Sequence, residues 1–230
     1  MRALIFLLAV VPAFAQVTTS DHDLERVAEV ALARDTGTSP FDLEVEVSAG
    51  RARVTGEVDT LKRRWEVLDT VGRVRGIASI EDELTVRPGG SDGAVRAAVE
   101  RKLGDIPSLD RQSLEVRVVD GVVTLSGAVS EAGARLRAQE AAAKVPGARD
   151  VVLRLDVPTA PDPEVRAAVE RVVGSRSLTA IPGEVRVEVA DGTVTLTGTV
   201  PTVFARSQAE RLAWGVDGVR AVRNALQVVP

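Results

Sequence analysis

The sequence predicts an α+β protein made of three tandem, two-layer αββαβ modules, each a three-stranded sheet packed by two helices. Three observations carry that expectation. A run of aliphatic residues alternating with charged ones recurs at a fixed interval: Leu43, Val45 and Val47 return as Leu114, Val116 and Val118 and again as Val185, Val187 and Val189, 71 residues further on at each step. The run ends each time in a two-residue turn, Ala49-Gly50, Asp120-Gly121 and Asp191-Gly192, the type that needs positive φ at both central positions. An alanine- and valine-rich helical pattern then closes on Gly76, Gly147 and Gly218, again at the same spacing.

Taken in order, each module opens with a helix. In the first, Ser20 caps with Asp23 nearby, and Leu24, Val27, Ala28 and Ala31 recur at helical spacing. The second starts after Ser91-Asp92 and turns Val95, Ala98, Val99 and Leu103 inward; the third has Asp162 as cap, Pro163 in the first helical position, and Val165, Ala168, Val169, Val172 and Val173 behind it. The hairpin follows, its second strand carrying Ala52, Val54 and Val58, then Val123, Leu125 and Val129, then Val194, Leu196 and Val200. Gly56, Gly127 and Gly198 fall at one register within it, where a strand glycine marks a bulge or a close backbone approach. A second helix turns Val67, Val71 and Val74 inward, matched by Ala138, Ala142 and Val145 and by Ala209, Ala213 and Val216. It crosses over to a third strand with Ile80, Leu84 and Val86, matched by Val151, Leu155 and Val157 and by Val222, Leu226 and Val228, which a helical crossover returns parallel to the second. The modules so defined span residues 20–88, 91–158 and 162–230. Arg87-Pro88-Gly89-Gly90 reads as a flexible joint, and the proline-rich stretch from Pro158 to Pro163 as a stiffer, extended one.

Residues 1–15 read as a signal peptide: Arg2 is followed by a short apolar run from Leu4 to Val11, and Ala13-Phe14-Ala15 is a cleavage motif. The expected mature chain, starting at Gln16, is exported and periplasmic, without a transmembrane segment. It has no cysteine and therefore no disulfide. The formal charge is −4, with 15 acidic against 10 basic side chains over residues 20–88 and equal numbers in the other two modules. No module is a basic reader of phosphates, so nucleic acid is not an expected partner.

The frame of Asp191-Gly192, Val194-Thr195-Leu196-Thr197-Gly198, Val216-Asp217-Gly218-Val219 and Val222-Arg223-Asn224-Ala225-Leu226 resembles the BON domain of bacterial osmotically inducible and nodulation proteins. The second module keeps the hairpin but has Leu153 in place of Asn224; the first has Ala49-Gly50 at the turn and Asp82 at the asparagine position. The resemblance implies an αββαβ fold, an envelope location, a part in osmotic or envelope integrity and, in some members, binding to anionic phospholipid.

The catalytic inventory is nearly empty. His22 is the only histidine and sits at the polar start of a helix, where solvation explains it better than general-base work. Glu81-Asp82-Glu83 offers carboxylates for a cation but reads more simply as solvated strand residues. No cofactor, metal site or catalytic residue is expected, and the protein is expected not to be an enzyme. The second helix of the first module nevertheless carries an extra apolar stripe, Leu61, Trp65 and Leu68, opposite Val67, Val71 and Val74, with Leu136 and Trp214 on the corresponding side of the other two helices. One reading is packing between modules, which small domains need. The other is a docking surface, with Lys62, Arg63 and Arg64 beside Trp65 suited to an anionic phospholipid membrane. An envelope protein bound in chaperone-like or scaffold fashion is the alternative partner, held on the stripe or along an open sheet edge.

Overall fold

The computed structural model describes residues 20–35, 43–106, 109, 114–174 and 184–229. The expected leader and its cleavage after Ala15 lie outside them. In chain order the elements are α1 (Asp21–Asp35), β1 (Leu43–Ser48), β2 (Arg51–Val58), α2 (Leu61–Gly72) and β3 (Ser79–Val86). The second module has α3 (Asp92–Gly104), β4 (Leu114–Val119), β5 (Val122–Ala128), α4 (Ala132–Ala143) and β6 (Asp150–Asp156). The third has α5 (Asp162–Val173), β7 (Val185–Ala190), β8 (Thr193–Val200), α6 (Val203–Trp214) and β9 (Ala221–Val228).

Each module has its own three-stranded sheet in sequential order, β1-β2-β3, β4-β5-β6 and β7-β8-β9. The hairpin strands are antiparallel and the third strand runs parallel to the second, as the helical crossover requires. Alternation puts Val45, Val47, Ala52 and Val54 under the helices and Glu44, Glu46, Arg51 and Arg53 on the open face. One slip of register would reverse both sets, so the pattern that predicts the strands also fixes their pairing.

The turns have the expected geometry: φ is +49° at Ala49, +51° at Asp120 and +49° at Asp191, each followed by a glycine at +71° to +76°. Ala49 holds this left-handed conformation without the usual residue type, at a cost of about 1–2 kcal/mol. A carboxylate at the start of the preceding helix holds each turn. Asp21 accepts the Ala49 and Gly50 N–H groups at 2.8 and 3.1 Å, Asp92 those of Asp120 and Gly121 at 2.9 Å each, and Asp162 those of Asp191 and Gly192 at 2.8 and 2.9 Å. Asp162 is therefore the first residue of α5 and faces the hairpin; the cap position belongs to Pro161, whose ring has no acceptor for the helix amides. Ser20, Thr60, Ser91 and Thr202 do cap, each accepting the amide three residues on.

Three other local expectations are modified. Val27 is 46% exposed, and Leu32 takes its place with Leu24 and Ala28 on the inner face of α1, one full turn beyond Ala28. The helices α2, α4 and α6 stop four residues before Gly76, Gly147 and Gly218, and a further turn carries the chain to those glycines, whose φ values are +103°, +85° and +84°. The joint at Arg87–Gly90 is docked, not free: a Cβ on Gly89 would stand 2.2 Å from the Pro146 carbonyl oxygen. The second joint is fastened likewise, with the Gly218 N–H donating to the Pro158 carbonyl at 3.0 Å.

The helices divide into two kinds. α1, α3 and α5 bury one stripe and leave the rest in water, whereas α2 and α6 have no fully exposed residue and α4 has only Arg137. The second helices are therefore covered on both sides, by their own sheet and by the neighbouring modules. The first two modules share one continuous aliphatic core, to which Val203 at the start of α6 also belongs, while the third keeps its own around Val169, Val194, Leu196 and Ala209.

Candidate functional site

The residues singled out from the sequence lie at this junction of α2, α4 and α6. Leu61 is 3% exposed and belongs to the core; Trp65 and Leu68 are half-buried against it. The three adjoining cations all meet carboxylates. Lys62 Nζ stands 3.3 Å from Glu140 in the second module and 3.9 Å from Glu66, Arg63 pairs with Glu66 at 3.4 Å, and Arg64 Nε donates to Asp82 at 2.8 Å. Their side chains keep about 30% of their surface in solvent. Trp214 does not join them; it sits at the other end of the junction, under the Arg135 guanidinium at 4.6 Å from the ring centroid.

The three helices meet head to tail. The end of α2 adjoins the start of α6: Arg73 lies over the Phe204 ring at 4.3 Å and a Cβ on Gly72 would stand 3.0 Å from the Phe204 nitrogen, while Arg211, in the last turn of α6, also holds Asp69 through its two terminal nitrogens at 3.2 and 2.8 Å. The end of α6 adjoins the start of α4, where Asp217 accepts the Ala132 N–H at 2.6 Å and Gly215 packs on Leu136. The end of α4 adjoins the start of α2 through Glu140 and Lys62. The ring thus closes within one chain, each second helix giving its tail to one neighbour and its head to the other.

One position shows how the modules diverge. Arg64, Arg135 and Arg206 are equivalent, 71 residues apart, on α2, α4 and α6. The residue facing them on the third strand is Asp82, Leu153 or Asn224. Arg64 pairs with Asp82 inside its module; in the third module Asn224 donates to the Arg206 carbonyl and to Glu210 at 2.8 and 3.1 Å. Leu153 offers no acceptor, and Arg135 instead crosses the boundary, donating to the Val219 carbonyl at 3.2 Å and to the Trp214 carbonyl. The Trp214 carbonyl is the last of α6, where a cation is favoured by the helix dipole. Burial lowers its pKa from the ordinary guanidinium value, against the charge of Asp217, which raises it. Sequence reasoning missed Arg135 because its partners are backbone atoms of another module; the aliphatic Leu153 was the available signal.

Glu140 is the other group whose acidity the junction sets. Burial by itself would raise its carboxyl, but hydrogen bonds and charge from Lys144 and Lys62 hold it below the ordinary carboxylate range. Elsewhere, Glu81 and Glu83 flank Arg53 at 3.5 and 3.7 Å on the open sheet face, and His22 is exposed on the first turn of α1. Among the described residues no three His, Cys, Asp or Glu side chains gather to hold a metal ion, and no helix is long and apolar enough to cross a membrane.

The chain belongs to the BON domain family, whose model matches it three times, over residues 20–88, 91–159 and 161–230. It is 31% identical over 144 residues to Osmotically-inducible protein Y of Escherichia coli (strain K12), covering 59% of this chain and 72% of that protein. Among solved structures, the C-terminal domain of CdsD, a structural protein of the type III secretion system of Chlamydia trachomatis, aligns over 90% of this chain and 98% of its own at 18% identity, with a TM-score of 0.25. The PrgH periplasmic domain aligns over 82% and 95% at 14% identity, with a TM-score of 0.22.

Proposed function

We propose that this is a non-enzymatic periplasmic protein that supports the cell envelope under osmotic stress through reversible contact with anionic phospholipid. The observation that carries the osmotic reading is the 31% identity to Osmotically-inducible protein Y within a chain of three BON modules. The leader-like first 15 residues support export. For the lipid contact, the candidates remain Lys62, Arg63, Arg64 and Trp65, with Leu61 and Leu68 beside them and Trp214 apart at the other end of the junction. Their cations are part-exposed, and a headgroup phosphate would compete there with Glu66, Glu140 and Asp82. Each cation near an anionic surface adds about 1 kcal/mol. Flotation of the purified protein with phosphatidylglycerol vesicles at low salt tests this: binding that is lost in K62E/R63E supports the proposal, and failure to float at low salt removes the lipid part of it.

A second reading, a scaffold or chaperone-like module for envelope proteins, is favoured by one observation. Val119 and Val152 are 48% and 37% exposed on the open face of the second module's sheet, where the first module presents Ser48 and Glu81. Crosslinking from position 152 to envelope proteins in stressed cells distinguishes it from the lipid reading.

A further inference from the structure

The Arg135 crossing leaves a groove in its wake. Where Arg64 and Asp82 fill the corresponding space of the first module, the second has a cleft of about 490 Å³ between the edge strand β6, helix α4 and the end of α6. Its apolar wall is made by Leu136, Leu153, Leu155 and the Trp214 ring. Its rim carries two arginines, Arg154 from β6 and Arg220 from the third module, and one carboxylate, Asp156. Neither rim arginine takes part in an ion pair among the described residues, although most other arginines around the junction do. Beneath them Arg135 spends its hydrogen bonds on carbonyls and so keeps its positive charge on the wall.

From this geometry we infer that the groove between the second and third modules binds a single-chain anionic amphiphile of the long-chain carboxylate type. The volume lies within the range of about 300–1,000 Å³ typical of small-molecule sites, and the aliphatic and aromatic part of the wall suits one hydrocarbon chain. Arg154 and Arg220, both among the lining residues, supply guanidinium groups for the carboxylate, the head that a guanidinium pairs best. Gln139 on α4 adds a neutral polar group to the lining. This site is distinct from the Lys62–Trp65 region, and its ligand is a dissolved monomer instead of a bilayer surface.

The test is calorimetric titration of the full-length purified protein with dodecanoate below its micellar concentration, with Trp214 fluorescence followed in a W65F background. Saturable binding at one site per chain, weakened about tenfold or more in R154Q/R220Q, is the expected result. Both arginines are exposed, so the double variant should fold; L153E, which puts a carboxylate into the apolar wall, should abolish binding independently. The inference is overturned if dodecanoate does not bind, if R154Q/R220Q binds it equally well, or if dodecyltrimethylammonium, with the same chain and the opposite charge, binds as tightly. Vesicle flotation of the unmutated protein reads the membrane proposal separately, so either can fail while the other stands.

Discussion

Replacing Arg135 by methionine keeps the aliphatic stem and removes the charge that joins the second module to the third. In the wild-type protein the guanidinium is in a side chain 5% exposed, donates to two carbonyls and stacks on the Trp214 ring at 4.6 Å. Charge-assisted hydrogen bonds contribute about 1.5–3 kcal/mol each, and a desolvated cation–π contact about 2. The methionine regains some apolar packing, so the net destabilisation should be about 3–5 kcal/mol. In a protein of this size that lowers Tm by about 6–20 °C. Differential scanning calorimetry measures it, and the near-UV circular dichroism of Trp214 reports whether its surroundings loosen. The equivalent arginines are internal controls. Arg64→Met removes a part-exposed pair and should cost about 1 kcal/mol, while Arg206→Met, at a part-exposed position with no ion pair among the described residues, should fall within about 0.5 kcal/mol of zero. If Arg135→Met costs no more than Arg206→Met, the crossing does not hold the modules together and the reasoning fails.

The remaining predictions concern the repeated features. Asp92→Asn leaves one oxygen to accept two turn amides and should destabilise the second module by about 1–2 kcal/mol, with hydrogen exchange at Asp120 and Gly121 accelerating first; unchanged exchange would contradict the tether. Gly198→Ala puts a Cβ 1.8 Å from the Glu184 carbonyl oxygen at a φ of +118° and should cost about 3 kcal/mol or more, measured by urea unfolding; a neutral outcome would refute the close approach. Because Glu140 has its folded pKa depressed, the stability it supplies is full above its unfolded pKa, near the ordinary value of 4.5, and is lost as pH falls through the folded value. Glu140→Gln should therefore flatten the acid limb of the pH–stability curve and leave its neutral plateau slightly lower; an unaltered acid limb would count against this.

The elements were legible because they are written three times. Val54, Val67, Val71, Val123, Leu125, Val194 and Leu196 all sit where the alternation and the helical period put them, fully buried, and the Asp-Gly turns state their own φ. The tethers from Asp21, Asp92 and Asp162 to the turns were harder to see, since an acidic residue at a helix start already has a sufficient local explanation. The candidate site was legible only as a surplus. Leu61, Trp65 and Leu68 show that α2 has more apolar surface than one sheet can cover, but an amphipathic pattern gives no information on what covers the excess. The contacts that close the junction, Lys62 with Glu140, Arg73 with Phe204 and Arg135 with the Trp214 and Val219 carbonyls, join residues more than 70 positions apart, and the two carbonyls are backbone atoms that carry no sequence signal.

The circular hand-over among α2, α4 and α6 also bears on the number of copies. An asymmetric contact that passes from one unit to the next either comes back to its starting point or propagates without limit. Here the third unit returns to the first, so the chain finishes with no unmatched end. A version with two units would offer one vacant head and one vacant tail, whereas a single unit supplied alone would be expected to gather as a trimer.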